Sequence, residues 1–147
     1  EAFDPVANSW STKASMSTAR TGLGAGVING ILYAVGGSPT GGGYVGTLEA
    51  YNPADNSWST KAPMPTPRAD MVVGVINGIL YVAGGNNGDH LATVEAYNPG
   101  TDTWSTVASL PTARTAAKGT VSNGLLYVIG GYTGASTAVG TVEVYTP

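Results

Sequence analysis

Short apolar runs alternate with polar turns along this 147-residue chain, and no stretch carries the 3.6-residue period of an amphipathic helix. The plainest module runs from Pro67 to Trp104 and contains four strand signals. The first, Leu23–Ile28 in the preceding copy, mixes Gly, Ala and Val, as a crowded strand does. The second, Ile31–Val35, Ile79–Ala83 and Leu125–Ile129, is continuously apolar, so both of its faces are expected to be buried. Between the two lie Asn29-Gly30, Asn77-Gly78 and Asn123-Gly124, which supply the positive φ angles of a two-residue type I′ hairpin. The third signal, Thr47–Tyr51, Thr93–Tyr97 and Thr141–Tyr145, alternates and so predicts a partly exposed strand. Pro53, Pro99 and Pro147 end it by removing a ladder donor. The fourth begins at Trp10, Trp58 and Trp104, continues Ser-Thr, and belongs on the outside.

These signals recur at a fixed spacing. Arg20, Arg68 and Arg114 are separated by 48 and 46 residues, and so are the three tryptophans and the doublets Gly36-Gly37, Gly84-Gly85 and Gly130-Gly131. Val27–Tyr33 is identical to Val75–Tyr81, and Ser9–Ala14 to Ser57–Ala62. Self-similarity at this period signals a repeat architecture, and four antiparallel strands with small residues innermost describe a propeller blade.

The same residues resemble the kelch repeat: Gly-Gly after an apolar strand, then Glu-x-Tyr-x-Pro, then Trp, preceded by Pro/Ala-Arg. The resemblance covers essentially the whole chain, three times over. It implies an all-β, kelch-type β-propeller with three four-stranded blades per chain. The expected segments are 1–16 (a third-strand remnant and an outer strand), 17–64 and 65–110 (one blade each), and 111–147 (a blade lacking its outer strand). Kelch propellers usually have six or seven blades, and three are too few to close a ring. Two copies arranged head to tail would give six, each third blade taking its outer strand from the other chain. Glu1–Pro5 duplicates the role of Glu143–Pro147 and is expected to be displaced or poorly ordered. A fragment of a longer propeller is the rival explanation.

Composition narrows the chemistry. The net charge of −3 gives no broad attraction to phosphate backbones or anionic lipid, so nucleic acid and membrane surfaces are not expected partners. No run approaches the ~20 apolar residues of a spanning helix, and no signal-peptide pattern is present, so a soluble chain of unassigned compartment is expected. The absence of cysteine excludes disulfides, thiolate metal sites and cysteine nucleophiles. It also excludes the cysteine-linked tyrosine of kelch-like copper radical oxidases.

Strands one and three run one way and strands two and four the other. The loops Ser38–Gly46, Asn86–Ala92 and Tyr132–Gly140 therefore share a face with the Pro/Ala-Arg segments. Variable loops on a rigid scaffold are where binding concentrates, and kelch resemblance implies the same face. Arg20, Arg68, Arg114, Glu1, Glu49, Glu95 and Glu143 all hold repeat positions. They read either as a ring of acids and bases around the channel or as pairs within or between blades. Repetition favours pairing, which makes Glu49, Glu95, Glu143 and the three arginines structural, along with Trp10, Trp58, Trp104 and the glycine doublets. Asp70 and Lys118 break the repeat where Gly22 and Ala116, or Gly24 and Val72, stand in the other copies. Kelch resemblance implies that residues just after the arginine contact ligand.

Tyr44, Asn86, Asn87, Asp89, His90 and Tyr132 complete the ligand-face candidates. His90 is the only histidine and lacks partners for a metal or general-base role, and Asn86–Asp89 lacks the spacing and closing Glu of a calcium loop. No metal or cofactor is expected. The leading expectation is a non-enzymatic binding or interaction scaffold for a peptide, protein or glycan, with itself as a homodimeric partner. The alternatives are an engineered or recently duplicated self-assembling propeller without a ligand, and a sugar-binding or sugar-isomerising kelch enzyme.

Overall fold

The structure is a computed structural model and describes residues 1–134 and 137–147. It opens with a hairpin, β1 (Ala2–Asp4) against β2 (Ser9–Ser11), in the register Phe3↔Trp10. Residues 1–5, expected to be displaced, are therefore ordered as a strand in the single chain. The reason is local: Phe3 lies against Trp10 at 5.3 Å between ring centres, and Asp4 Oδ1 accepts the amides of Val6 and Ala7 to close the turn.

Three blades follow. The short strand β3 (Arg20–Thr21) leads into β4 (Gly24–Ile28) and β5 (Ile31–Val35). Next come β6 (Ser38–Pro39), which pairs with β3, then β7 (Leu48–Asn52) and β8 (Ser57–Lys61). The first blade is thus the four-stranded sheet β4-β5-β7-β8. The second repeats it with β9 (Val72–Ile76), β10 (Ile79–Ala83), β11 (Val94–Asn98) and β12 (Thr103–Val107). The third holds β13 (Lys118–Ser122) and β14 (Leu125–Ile129). After the loop pair β15 (Tyr132–Thr133) and β16 (Thr137–Ala138), β17 (Val142–Tyr145) completes it. This blade has three strands and no outer one, so the described residues hold two four-stranded blades and one of three.

The Asn-Gly turns form as the sequence predicts: Asn77 and Gly78 take φ of 51° and 77°, and Ile76 pairs with Ile79 across them. Strand two is buried on both faces in the second blade. In the first two blades strand three departs from its expected half-exposure, because Leu48–Tyr51 and Val94–Tyr97 are buried throughout, whereas Val142–Tyr145 alternates between exposed and half-buried positions. Its alternation arises from a glutamate whose carboxylate is paired internally rather than from a solvated face.

The apolar core lies between successive blades. Tyr33, Val35, Leu48 and Ala50 on one blade meet Leu80, Val82 and Tyr97 on the next. Tyr81, Ala83, Val94 and Ala96 then meet Leu126 and Val128. Each fully buried Val or Leu contributes roughly 1.5–3 kcal/mol, so the junctions are the principal source of stability. Trp104 locks the first of them, its indole Nε1 donating to Ala62 O at 2.8 Å, and Trp58 in the same way ties the first blade to the segment after the N-terminal hairpin, donating to Ala14 O at 2.8 Å. Trp10, read from sequence as an equal anchor, is 68% exposed. Among the described residues no carbonyl accepts its indole as Ala14 and Ala62 accept those of Trp58 and Trp104. No helix among the described residues is long and apolar enough to cross a membrane.

Candidate binding face

The arginines and glutamates pair within each blade. Arg20 bonds Glu49, Arg68 bonds Glu95 and Arg114 bonds Glu143, with every guanidinium buried. Arg68 is representative. Its Nη2 meets Glu95, while Nη1 donates to the carbonyls of Gly84 (3.0 Å) and Thr93 (2.8 Å) and Nε to Thr66 (3.2 Å). One side chain thus holds both ends of the loop between strands two and three. Thr66 Oγ1 gives Glu95 a second donor at 2.8 Å, and Ser17 does the same for Glu49. Burial pushes Glu49 up, but the hydrogen bonds from Ser17 and Arg20 and the charge of Arg20 outweigh it and hold its pKa below the usual range. Burial lowers the Arg68 pKa against the opposing pull of Glu95, yet a guanidinium remains charged. Buried groups of this kind are framework and cannot form a ring of acids and bases lining a channel.

The glycine doublets fit beneath this clamp. Gly36 and Gly37 have φ of 64° and 106°, and Gly37 N donates to Arg68 O of the next blade at 2.8 Å. A Cβ on Gly36 would lie 2.6 Å from that same carbonyl, so only glycine permits the approach.

Two residues beyond each arginine the chain turns left-handed: Gly22, Asp70 and Ala116 have φ of 62°, 55° and 52°. Their backbones form a chain of bonds along the inner rim, from Asp70 N to Gly22 O (2.8 Å) and from Ala116 N to Asp70 O (3.0 Å). Asp70 and Lys118, both exposed, line a recess of about 160 Å³ here with Leu23, Met71 and Ala117. The two repeat-breaking charges are therefore brought to one recess.

The irregular loops gather on this face, because each pairs with an arginine segment: β3 with β6, Ala69 with Asn86, and Thr115 with Tyr132. Residues 135–136 of the Tyr132–Gly140 loop lie outside the described residues. Asn86 is a framework residue rather than a free contact. Its Oδ1 accepts from Gly88 N (2.7 Å) and from Tyr44 Oη (3.1 Å), which ties the first loop to the second. Asn87 and Asp89 are exposed, and half-buried His90 lines a cleft of about 370 Å³ with Gly88, Asp89, Ala113 and Gly134. Tyr132 is exposed. No group of three or more potential metal-ligating side chains occurs among the described residues.

Sequence reasoning missed Asn56 and Asp102, two residues before Trp58 and Trp104. Both have left-handed backbones, and each carboxamide or carboxylate oxygen accepts an amide from the segment before its blade, Ala14 or Ala62, at 2.9 Å. Each also accepts the hydroxyl of its own blade's tyrosine, Tyr51 or Tyr97. The hydrogen bond from Tyr97, followed by that from Ala62, lowers the Asp102 pKa. The signal was available, since Asn8, Asn56 and Asp102 share one repeat position.

A family model described as the KLHDC2/KLHL20/DRC7 Kelch-repeats domain matches residues 2–139. The chain belongs to the kelch-repeat family. Among solved structures, "Structure of YjhT" superposes with a TM-score of 0.86 at 21% sequence identity, covering 99% of this chain and 48% of that one. At that identity the likeness shows the propeller fold alone, and this kelch chain spans about half the length of that protein.

Proposed function

We propose that this kelch chain is a non-enzymatic binding scaffold, and that two copies complete a six-bladed ring whose loop face and channel mouth receive a peptide or partner protein. The observation that carries the reading is the segregation of its variable parts. The three irregular loops, the exposed Tyr44 and Tyr132, and the unlike charges Asp70 and Lys118 all stand on one face, above a framework that repeats almost unchanged. Tyrosine offers apolar area with a polar tip, and paired opposite charges select register more than they add affinity. The arginines and glutamates that an acid–base mechanism would draw on are instead committed to the framework.

The test is binding of the full chain to peptide and glycan arrays. Asp70→Asn and Tyr132→Ala are expected to lower binding of the selected peptides while leaving thermal stability unchanged. Arg68→Met is expected to lower stability first. Selective glycan capture, or pH-dependent turnover of a sugar, would overturn the reading, as would Asp70→Asn and Tyr132→Ala variants that bind like the parent.

A further inference from the structure

We infer that Asn87 is a self-modification site: its carboxamide condenses with the Gly88 amide and is then hydrolysed, leaving aspartate or isoaspartate at the tip of the second loop.

The chain contains four Asn-Gly pairs, at 29–30, 77–78, 87–88 and 123–124. Glycine leaves the amide nitrogen after each asparagine unshielded, because no Cβ stands beside it. That nitrogen can attack the carboxamide carbon. Exposure does not rank the four, since every one of these asparagines is exposed. Backbone freedom does. Asn29, Asn77 and Asn123 are held at φ of 50°, 51° and 50° inside two-residue turns. The residues flanking each turn are paired: Ile28↔Ile31, Ile76↔Ile79 and Ser122↔Leu125. Rotating one of these asparagines into line for attack opens the hairpin between two strands of a blade. Asn87 lies in neither a strand nor such a turn. Asn87–Asp89 form an exposed three-residue tip, closed by the single bridge Asn86↔His90.

Two contacts within this tip act on the reaction in opposite senses. The Asp89 N–H donates at 3.4 Å to Asn87 Oδ1, the oxygen on which negative charge gathers as the carboxamide carbon is attacked. A donor placed there stabilises the tetrahedral stage. Against it, the Gly88 N–H donates to Asn86 Oδ1 at 2.7 Å, which keeps the proton on the attacking nitrogen. Tyr44 Oη donates to the same oxygen at 3.1 Å and steadies it. The Asn86 side chain is therefore a brake on its neighbour, held in place from the first loop.

The atoms balance with water as the only co-reactant. The Gly88 nitrogen loses its proton and bonds to Asn87 Cγ, and the carboxamide nitrogen leaves as ammonia. Water then opens the cyclic imide. Cleavage of the new Cγ–N bond gives aspartate, and cleavage of the original peptide bond gives isoaspartate, whose backbone runs through the side chain. Either product places a second negative charge beside Asp89.

Trypsin cuts after Arg68 and Arg114 and nowhere between, so Asn77 and Asn87 fall in one peptide and are compared within the same molecule. The full chain is incubated in heavy-oxygen water at mildly alkaline pH, and fragmentation mass spectrometry locates the incorporated oxygen. In the folded chain Asn87 is expected to convert at least ~10-fold faster than Asn77, whose hairpin must first open. In urea the two are expected to convert alike. No conversion of Asn87 would overturn the site. Equal rates in the folded chain, or the same inequality in urea, would overturn its structural cause. Asn86→Ala is expected to speed conversion roughly 2- to 10-fold, the effect of losing one hydrogen bond. Asn86→Asp keeps the acceptor and is expected to convert no faster than the parent. An Asn86→Ala rate equal to the parent's, or an Asn86→Asp rate equal to that of Asn86→Ala, would overturn the brake. The effect on binding rests on the function proposed above, whereas the reaction does not. Asn87→Asp, which carries the product charge, is expected to weaken capture of acidic peptides roughly 2- to 5-fold. Unchanged capture would overturn that effect and leave the reaction standing, while a parent that captures no peptide would overturn the binding reading alone.

Discussion

Replacing Arg68 by Met tests the division between framework and binding surface. Methionine has similar reach and is tolerated in apolar surroundings, so the perturbation is chiefly loss of charge and donors. Arg68 is 0% exposed and serves Glu95, Gly84, Thr93 and Thr66 at once. Glu95, 1% exposed, would keep only the Thr66 hydroxyl. Breaking a buried ion pair from one side typically costs about 3–5 kcal/mol. Against a total of roughly 5–15 kcal/mol that is a large fraction, and at ~2–4 °C per kcal/mol it lowers Tm by roughly 6–20 °C. Urea unfolding followed by tryptophan fluorescence would measure it. The double variant Arg68→Met/Glu95→Leu is expected to recover part of the loss, because no carboxylate is then stranded, but not all, because the Gly84 and Thr93 carbonyls still lack their donor. A cost below about 1 kcal/mol, or a double variant no more stable than the single, would refute the account.

Trp104→Ala removes a half-buried indole, its stack on Tyr97 and its bond to Ala62, and is expected to cost roughly 2–4 kcal/mol in the same assay; unchanged thermal stability would show the junction lock to be unimportant. Ala116→Gly is expected to stabilise by about 0.5–1 kcal/mol, since Ala116 holds a φ of 52° that glycine adopts without Cβ conflict, and a lower urea midpoint would contradict this. Acid is expected to destabilise the fold through Glu49 and Asp102, whose pKa values are lowered by the bonds they accept. A lowered folded pKa contributes stability above the unfolded value, near ~4, and that contribution is lost as pH falls through the folded value. A urea midpoint that stays constant from pH 6 down to pH 3 would refute it.

Most of the fold was legible because its signals are local. Asn29-Gly30 and its equivalents dictate the hairpins, and the apolar Ile79–Ala83 reads directly as a strand covered on both sides. The burial of strand three was not legible, since Glu49 alternates with apolar residues just as a solvated residue would, and only its distant partner Arg20 shows otherwise. Trp10 misled for the opposite reason: its sequence context matches Trp58, but exposure depends on which blade stands in front of it. On the binding face, spacing located Asp70 and Lys118, which do share a recess. It could not show that the Asn86 side chain is already occupied, because that depends on Tyr44 reaching across from another loop.

The clamp formed by Arg68 also bears on how such a surface diversifies. By holding the Gly84 and Thr93 carbonyls together, it fixes the distance between the two stems of the intervening segment whatever that segment contains. With the stems pinned, doubling the segment's length costs only about 0.6 kcal/mol of closure entropy. Insertions at the exposed tip, Asn87–Asp89, therefore cost the blade beneath them little more than this closure term, so long as the backbone bonds of Asn86, Leu91 and Ala92 to the neighbouring segments are kept. A lineage carrying this clamp can try new surfaces one blade at a time without renegotiating the architecture.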